Sequence, residues 1–497
     1  MPNEFTAIDL FAGIGGFRSA IEKCGGRTIA YSEIDSDAIN AYEHNYPESS
    51  GTNLGDITKL RQLPAHDLLT GGVPCQSWSI AGRNLGFDDD RGQLWNDALY
   101  LLNQSKPKVF IFENVKGLAD PRNEEALNFI MKRIGEAGYS ASYYVINSFD
   151  YGVPQSRVRI YIIGFLEAKY SKAFRLPDKT EDKVRLRDVI EDEVIEVLSS
   201  SIYDAPLNLF GEPVGVSSKY TSLSKNNNGH NDYFLFNDLR NGATTIHTWD
   251  ILSTTERQKK ICLILLRNRR KKDFGPLDGN PLSLEHFKIF DKTITTDELD
   301  ELISMGILKS ECYAYEITQK AISDLTDAEQ LVLNKQEDGY IIPDKLVVDK
   351  DVRSKKVKVW ETLEALEKKH IVRCCETRYE FRQTKISTGL FGVNRIFLPS
   401  SDIFPTLVAS DTNDFLTPIS ITATNEHDYK RDFITHVFKS KAYRKISKIE
   451  ACRIQGFPDD FHLPESRSKW MKLIGNSVSI PVIEKLVHAI IDTGVFD

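Results

Sequence analysis

The chain has 497 residues, which is too long for one ordinary hydrophobic core and predicts two or three domains. Its net charge of −8 excludes a uniformly basic coat for nucleic acid but leaves room for local basic patches. Seven Cys residues without a C-x-x-C pair argue against a disulfide framework and a zinc site, and reduced thiols fit the cytoplasm. We expect no signal peptide and no membrane span, since no apolar run approaches the roughly 20 residues that cross a bilayer.

The first third of the chain alternates apolar strands with helical patterns. Helical patterns such as EEALNFIMKRIGEAG lie between the strands. The predicted strands are FTAIDLFA, RTIAYSEID, HDLLTGG, PKVFIFENV and RIYIIGF. Strands that alternate with helices predict a mostly parallel sheet covered on both faces, which is an α/β fold.

The character of the sequence changes around residue 168. Residues 255–272 form a strongly basic helix candidate. Two segments, 295–318 and 359–381, each have the pattern of a helix followed by a short hairpin, which is the layout of a winged-helix unit. From residue 442 onward, two further helices are predicted, one closed by Gly-Phe-Pro and one that ends the chain.

The segment DLFAGIGGF places glycines between the first strand and the first helix, where a ligand can approach the backbone closely. Glu33 and Asp35 follow the second strand, where such folds hold a ribose by its hydroxyls. The glycines lie too close together for a pyrophosphate cradle, so they favour a nucleoside ligand, with a simple tight turn as the alternative. Asp56 could accept a hydrogen bond from an adenine amino group, although alone it is more typical of a turn or cap.

Cys75 lies in the stretch GGVPCQSWS, directly after a predicted strand. A free Cys is usually a small buried hydrophobe. Here the glycines allow a sharp exit from the strand, Pro74 restricts the loop, and ligands bind at this edge of a parallel sheet. Glu113 ends another apolar strand and is a candidate carboxyl for the same site, although a strand-end Glu is more often solvent-facing.

Gln155, Arg157 and Arg159 alternate, so on a strand they would share one face and need an anionic or carbonyl-rich partner. A solvated edge strand is the alternative.

One chemistry needs a thiol, a carboxyl and an Arg together. A thiolate that adds to carbon 6 of cytosine lets carbon 5 attack a methyl donor, while a protonated carboxyl and an Arg stabilise and hold the ring.

The chain resembles the DNA (cytosine-5) methyltransferases of the bacterial restriction–modification type. DLFAGIGG, GDIT, GGVPCQSWS, FENV, QSRVR, EACRIQGFP and GNSV stand in the order of that family, and a fixed order of motifs is more specific than any one motif. The resemblance implies a doubly wound, Rossmann-like, S-adenosylmethionine-dependent catalytic domain over 1–169 and 399–497. A mixed α+β target-recognition domain would span 170–398, with the winged-helix-like segments as an elaboration.

The resemblance also implies roles for individual residues. Cys75 would be the nucleophile, Glu113 would contact the target ring, and Arg157 and Arg159 would belong to the same pocket. Asn114 would fix the loop that carries Cys75. The residues implied for the S-adenosylmethionine site are Phe11, Gly13, Glu33, Ile34, Asp56, Ile57, Pro74, Leu94 and Asn476.

Contacts with DNA are expected in three places. Ser79 is similar to a serine near the phosphate backbone, and Arg91 lies in GFDDDRGQLW, which resembles part of a loop that closes over DNA. Arg269 and Arg270 in the basic run are predicted to contact phosphates, with a solvated helix face as the alternative. Arg395 lies where the recognition region rejoins the catalytic domain and is predicted to read a guanine.

The sequence therefore predicts a DNA (cytosine-5-)-methyltransferase that methylates a cytosine flipped out of a specific double-stranded sequence. Expected partners are double-stranded DNA and a cognate restriction endonuclease, with no membrane and no metal. The enzyme would be a monomer in the bacterial cytoplasm, associated with the nucleoid. Two alternatives remain: a transfer-RNA cytosine-5 methyltransferase, against which the large insert argues, and a non-enzymatic DNA-binding regulator, against which the intact Cys75, Glu113 and Arg157 argue.

Overall fold

The chain forms two compact units in a computed structural model. The larger unit comprises Met1–His230, Phe397–Asn425 and His436–Asp497, and the insert unit comprises Asn231–Ile396 and Glu426–Thr435. The structure describes residues 4–74, 94–181, 184–198, 248–252, 254–275, 279–318, 324–382, 395–399, 401, 403–412, 414–423 and 426–497.

A six-stranded sheet organises the larger unit, in the order β2-β1-β3-β4-β7-β5. The first seven strands of the chain are β1 (Thr6–Leu10), β2 (Arg27–Ser32), β3 (Leu68–Gly72), β4 (Val109–Val115), β5 (Ser140–Asn147), β6 (Gln155–Ser156) and β7 (Val158–Phe165). The pairs β1–β2, β1–β3 and β3–β4 are parallel, whereas β7 runs antiparallel to β4 and β5. The predicted α/β class with a mostly parallel sheet is confirmed.

Five helices accompany this sheet. They are α1 (Gly16–Lys23), α2 (Ser36–Asn45), α3 (Leu94–Ser105), α4 (Glu124–Glu136) and α5 (Ala168–Ala173). The central strands are continuous apolar runs, as buried parallel strands require. Trp95 of α3 packs edge-on against Phe112 of β4, with ring centroids 5.8 Å apart, and both side chains are fully buried. These aromatic contacts fix the position of β4, which carries Glu113 at its end.

The segment between residues 170 and 198 belongs to the larger unit, although the predicted recognition domain begins at residue 170. The reason is a long-range strand pair: β8 (Ile195–Leu198) runs parallel to a strand formed by Ile419–Thr422. Local sequence carries no signal for such a pairing. The roles assigned to the two predicted domains stay predictions.

The insert unit contains the elements α6 (Thr248–Ile251), α7 (Glu256–Asn268), α8 (Leu284–Phe290), α9 (Thr296–Ser304), β9 (Leu308–Ile317), α10 (Asp327–Asn334), β10 (Tyr340–Ile341), α11 (Pro343–Val348), α12 (Lys350–Ser354), α13 (Val359–Lys368) and β11 (Val372–Phe381). The strands β9 and β11 pair antiparallel from end to end. The two predicted winged-helix segments therefore each supply a helix and one strand, and the strands pair with each other instead of forming two local hairpins.

The two halves of the insert unit repeat one pattern. Helix α9 leads into β9 through Gly306, and α13 leads into β11 through His370, both with positive φ. The backbone amide after each of these residues donates to a helix carbonyl at the same distance, 3.0 Å. A short extended segment lies before the helix in each half, and it pairs with the eighth residue of the long strand of the other half. The pairs are Leu282 with Tyr379 and Ile341 with Tyr315. The unit is thus two winged-helix-like halves that share one ribbon.

A disulfide joins Cys312 of β9 to Cys374 of β11, with the two Cα atoms 5.8 Å apart. The expectation of fully reduced cysteines is wrong for this pair. The two residues lie 62 positions apart in sequence, and only the pairing of the long strands brings them together. Among the described residues, Cys24, Cys262 and Cys452 are free and buried, and Cys375 is free and exposed.

After residue 394, Arg395, Ile396 and Glu426–Thr435 belong to the insert unit and the rest of the chain to the larger unit. Short strands and helices make up this part of the chain. These are β12 (Arg395–Phe397), β13 (Phe404–Pro405), β14 (Asp414–Leu416), β15 (Ile419–Thr422), α14 (Glu426–Asp432), α15 (Lys448–Gln455), α16 (Arg467–Asn476) and α17 (Ile480–Ile491), with π-helical Phe433–Lys439 after α14. The segment Arg467–Ile491 has the length and hydropathy of a membrane span, but 61% of its most apolar window is buried inside the protein. This burial is typical of core helices, and α17 packs against α1.

Asp9 is a fully buried carboxyl in the middle of β1. Its Oδ1 accepts a hydrogen bond from the Thr70 hydroxyl at 3.0 Å, whereas Oδ2 has no partner among the residues that the structure describes. Desolvation is the main cause that raises the pKa of Asp9 from 3.8 to about 7. Because the folded protein holds this proton more tightly than the unfolded chain, the stabilisation is complete below about pH 4 and is lost as the pH rises through 7.

Asp9→Asn should therefore remove a pH-dependent term from the free energy of unfolding. A pKa shift of this size corresponds to at most about 4 kcal/mol in the free energy of unfolding. We expect urea unfolding of the variant to depend less on pH between 4 and 7 than that of the parent. Asp460→Asn, at an exposed position, is the control and should leave the pH dependence unchanged. Parallel pH profiles for Asp9→Asn and the parent would show that Asp9 is ionised in the folded protein.

Candidate functional site

The parallel strands β3 and β4 place Glu113 beside the segment that leads to Cys75. Gly72, the last residue of β3, is paired with Glu113 of β4. Asn114 is buried, and its side-chain amide donates to the carbonyl oxygen of Val73 at 3.0 Å. The predicted role of Asn114 in holding this segment is supported by that contact. Cys75 itself lies outside the described residues, three positions after Gly72.

Glu113 and Arg159 form a diagonal ion pair across β4 and β7. The Nε atom of Arg159 lies 3.1 Å from Oε1 of Glu113. Glu113 is only 9% exposed, so the carboxyl lies in a largely desolvated place at the end of its strand. The register explains the pair, because Val115 is opposite Arg159, and Glu113 lies two residues away on the same face of the sheet.

Arg157 is buried, at 3% exposure, between β6 and β7. Its guanidinium donates to three backbone carbonyls: Leu407 at 3.0 Å, Gly475 at 3.1 Å and Ser477 at 2.7 Å. Burial lowers the pKa of Arg157 to about 9, and the like charge of Arg159 adds to the effect, so the group remains protonated at pH 7. A guanidinium with these partners holds separate backbone segments together, and its predicted place among the catalytic residues stays a prediction.

Gln155 extends the same network. Its side-chain amide donates to the carbonyl of Ile454 at 3.2 Å and to Oε1 of Gln455 at 2.8 Å. Gln455 in turn donates to the carbonyl of Ser477 at 2.7 Å. The alternating donors thus find the carbonyl-rich and anionic partners that the sequence predicted. The partners of Gln155 and Arg157 were missed, because they are 250 to 320 residues away along the chain.

The glycine turn after β1 is tied to the end of β2 by Glu33. One carboxylate oxygen accepts from the backbone N–H of Gly13 at 2.9 Å, and the other accepts from Ile34 and Asp35 at 2.7 and 2.9 Å. Gly13 has a φ of +55°, and a Cβ placed there would meet nothing within 4 Å. The backbone is therefore open to a ligand at this turn. Phe11, also with positive φ, is half-buried against the core.

The other residues predicted for the cofactor site differ in their exposure to solvent. Ile34 is 73% exposed, Asn476 is exposed at the end of α16, and Pro74 and Leu94 are half-buried. Ile57 is buried in the core. Asp56 accepts from the backbone N–H and the hydroxyl of Thr58, and these hydrogen bonds lower its pKa. Asp56 is thus a cap residue in this structure, as its sequence context alone suggested.

The described residues fit S-adenosylmethionine. A glycine turn with open space above it admits the close approach of a ligand to the backbone. The carboxylates of Glu33 and Asp56 suit ribose hydroxyls and an adenine amino group, and the exposed side chain of Ile34 suits the face of a base. Asp35 and Lys472 pair between α2 and α16, which brings the segment of Asn476 to the same end of the sheet.

The residues predicted to contact DNA have different outcomes. Ser79 and Arg91 lie outside the described residues. Arg269 is 6% exposed and pairs with buried Glu380 at 3.0 Å, so it is not accessible to a phosphate as the prediction required. Arg270 is exposed, and Arg395 is half-buried at the start of β12. Charge pattern alone could not separate the buried Arg269 from the exposed Arg270.

Comparison with known proteins supplies the family context. The family model described as C-5 cytosine-specific DNA methylase matches residues 5–347 and 305–492. Type II methyltransferase M.HgiBI of Herpetosiphon aurantiacus is 40% identical over 490 residues, covering 98% of this chain and 97% of its own. Type II methyltransferase M.NlaIV of Neisseria lactamica is 29% identical over 518 residues, covering 97% and 99%. Type II methyltransferase M.HhaI of Haemophilus parahaemolyticus is 40% identical over 185 residues, covering 37% and 56%.

Gly475 lies where the C-terminal segment meets the chain near Val408. A Cβ at Gly475 would lie 2.3 Å from the backbone carbonyl carbon of Val408, so Gly475→Ala must push the two backbones apart. We expect the free energy of unfolding to fall by about 1–3 kcal/mol. Gly135→Ala in α4 is the matched control, because a Cβ there meets nothing, and it should raise stability by about 0.4–1 kcal/mol. Equal urea midpoints for the two variants would contradict this packing.

Proposed function

Because the chain belongs to the C-5 cytosine-specific DNA methylase family, we propose that Cys75 is the nucleophile with which it methylates cytosine in DNA. The enzyme transfers a methyl group from S-adenosylmethionine to carbon 5 of the base. The observation that carries the role of Cys75 is the pairing of Gly72 with Glu113, which brings the start of the Pro-Cys-Gln loop to a desolvated carboxyl. The comparisons favour neither the transfer-RNA enzyme nor the non-enzymatic regulator.

The proposed steps use the residues of this edge of the sheet. The thiolate of Cys75 forms a bond to carbon 6 of a cytosine that has been flipped out of the duplex. Glu113, near ring nitrogen 3, draws charge from the ring, and Arg159 holds Glu113 in place through their ion pair. The bound cofactor supplies the methyl group, which carbon 5 accepts. Loss of the carbon 5 proton to a base then expels the thiolate and restores the aromatic ring.

The cofactor would lie along the carboxyl ends of β1, β2 and β3. We assign the ribose to Glu33, because this carboxylate is fixed by three backbone amides and retains acceptor capacity. Ile34 would cover the adenine ring, and Asp56 would accept from its amino group. The proposed lining also includes Phe11, Gly13, Ile57, Pro74, Leu94 and Asn476.

The biological setting follows from the relatives. M.HgiBI and M.NlaIV are both named Type II methyltransferases, and they match the chain over nearly its whole length. We therefore place this enzyme in a bacterial restriction–modification system, with a cognate endonuclease that cuts the same sequence. It would act as a monomer in the cytoplasm on nucleoid DNA, with Ser79, Arg91, Arg270 and Arg395 among its contacts to the duplex.

The nucleophile can be tested with a substrate that traps the adduct. In DNA carrying 5-fluorocytosine, fluorine replaces the carbon 5 proton that must leave, so the covalent complex should accumulate. We expect the parent to form a complex that resists denaturing electrophoresis in the presence of S-adenosylmethionine. Cys75→Ser should form none and should lose nearly all methyl transfer, because a hydroxyl is a far weaker nucleophile than a thiolate.

Cys375→Ser is the matched control, since Cys375 is a free, exposed thiol in the insert unit. This variant should trap DNA as the parent does. Substantial methyl transfer by Cys75→Ser, or a trapped adduct that maps to another residue, would refute the assignment.

A further inference from the structure

The insert unit contains a cavity of about 520 Å³ that opens to solvent. Its lining carries three cationic side chains, two aromatic side chains and one carboxylate. These residues are Lys272, Lys345, Arg378, Phe274, Tyr313 and Asp273. Lys345 pairs with Glu337 and Arg378 pairs with Glu376, so Lys272 is the lining cation without an ion pair among the described residues. Cationic donors in a concave, aromatic-walled site suit a phosphate-bearing ligand.

Arg378 is held rigidly in the wall of this cavity. Its guanidinium carbon lies 3.2 Å from the centroid of the Tyr313 ring, Nε lies 2.7 Å from Oε1 of Glu376, and Nη1 donates to the carbonyl of Phe274 at 2.8 Å. Nη2 has no hydrogen-bond partner among the described residues. A guanidinium fixed on one edge with donors left on the other is organised in advance for an oxyanion.

The loop that carries Lys272 is also fixed. Buried Arg269 pairs with Glu380, and its carbonyl accepts from the backbone and the side chain of Asn280 at 2.7 and 2.9 Å. Lys272 itself is exposed and forms no ion pair within the part of the chain that the structure describes. The buried arginine of the basic run thus anchors the loop, and the exposed lysine three residues later faces the cavity.

The first three cations of the basic run are paired with acidic side chains. Arg257 pairs with Asp291 and Glu298, and Lys260 also pairs with Asp291. Lys259 pairs with Glu256. Charge alone therefore overstates how much of the run is available to DNA.

The helices that precede the two long strands are poor surfaces for DNA. In a winged-helix layout, α9 and α13 would be the helices presented to a duplex. Both carry acidic side chains, which would repel phosphates. These are Asp297, Glu298, Asp300 and Glu301 of α9 and Glu361, Glu364 and Glu367 of α13. A phosphate contact by the insert unit is better served by the basic cavity than by these helices.

We propose that the cavity binds a backbone phosphate of the DNA substrate, with Arg378 Nη2 and the Lys272 ammonium as its donors and Lys345, which also pairs with Glu337, beside them. This inference rests on the proposed function, since DNA supplies the phosphate. The contact positions the duplex on the insert unit and carries no base information. A free nucleotide offers the same phosphate chemistry, so the test must separate the two sources.

The test is a salt titration of duplex binding by the double variant Lys272→Gln/Lys345→Gln, which leaves the anchored Arg378 in place. The slope of log Kd against log salt concentration should flatten by about 0.9 for each phosphate that the variant no longer neutralises. The weakening should be severalfold and equal on specific and non-specific duplexes. Lys355→Gln/Lys356→Gln removes the same charge from an exposed turn of the same unit and is the matched control.

A slope equal to that of the parent and the control would overturn the proposal. Calorimetry with a nucleoside monophosphate is the second measurement. If the parent binds the nucleotide, the double variant does not, and the DNA slope is unchanged, the cavity binds a free nucleotide and the proposal of a DNA contact is overturned. Methyl transfer at saturating DNA is measured in parallel. An unchanged slope for the double variant, in preparations whose parent enzyme transfers methyl groups, overturns only the cavity proposal, whereas a parent without methyl transfer overturns the proposed function instead.

Discussion

The larger unit depends on the burial of one guanidinium. Arg157 comes from the N-terminal part of the chain, and its three acceptors, Leu407, Gly475 and Ser477, come from the C-terminal part. Burying a charged group is costly unless its donors are paired, so these carbonyls stabilise the two Nη groups, whereas Nε has no partner among the described residues. Arg157 thereby fixes where the returning chain meets the sheet, after an insert of more than 150 residues.

The hydrogen bonds of Arg157 also help to place both parts of the proposed site, which are the cofactor turn and the Glu113 carboxyl. Gly16 at the start of α1 packs so closely on the C-terminal segment that a Cβ there would lie 2.7 Å from the Ser477 hydroxyl. Ser477 is one of the Arg157 acceptors, so the cofactor turn and the guanidinium share a support. On the other side, Arg159 leads into the ion pair with Glu113. Two arginines two residues apart therefore hold the returning chain and the Glu113 carboxyl respectively.

The sequence was sufficient for the features that local pattern carries. The buried strands β1, β3, β4 and β7 are mostly apolar and were predicted. Strand β5 was missed, because it lies at the sheet edge with exposed side chains such as Tyr143 and Val145. The Cys312–Cys374 bridge and the partners of Arg157 depend on pairings across long sequence distances. Likewise, the basic run did not reveal that Arg269 is buried on Glu380 while Lys272 is exposed.

The central claim is that Arg157 assembles the site without touching the substrate, and hydrogen exchange of Arg157→Lys and Arg159→Lys tests it most directly. A lysine keeps the charge but cannot reach three carbonyls at once. The account predicts faster amide exchange in peptides covering 404–409 and 474–480 only in Arg157→Lys, with adduct formation on 5-fluorocytosine DNA retained at saturating cofactor. Unchanged exchange together with a loss of adduct formation in Arg157→Lys would contradict it and make Arg157 a substrate contact.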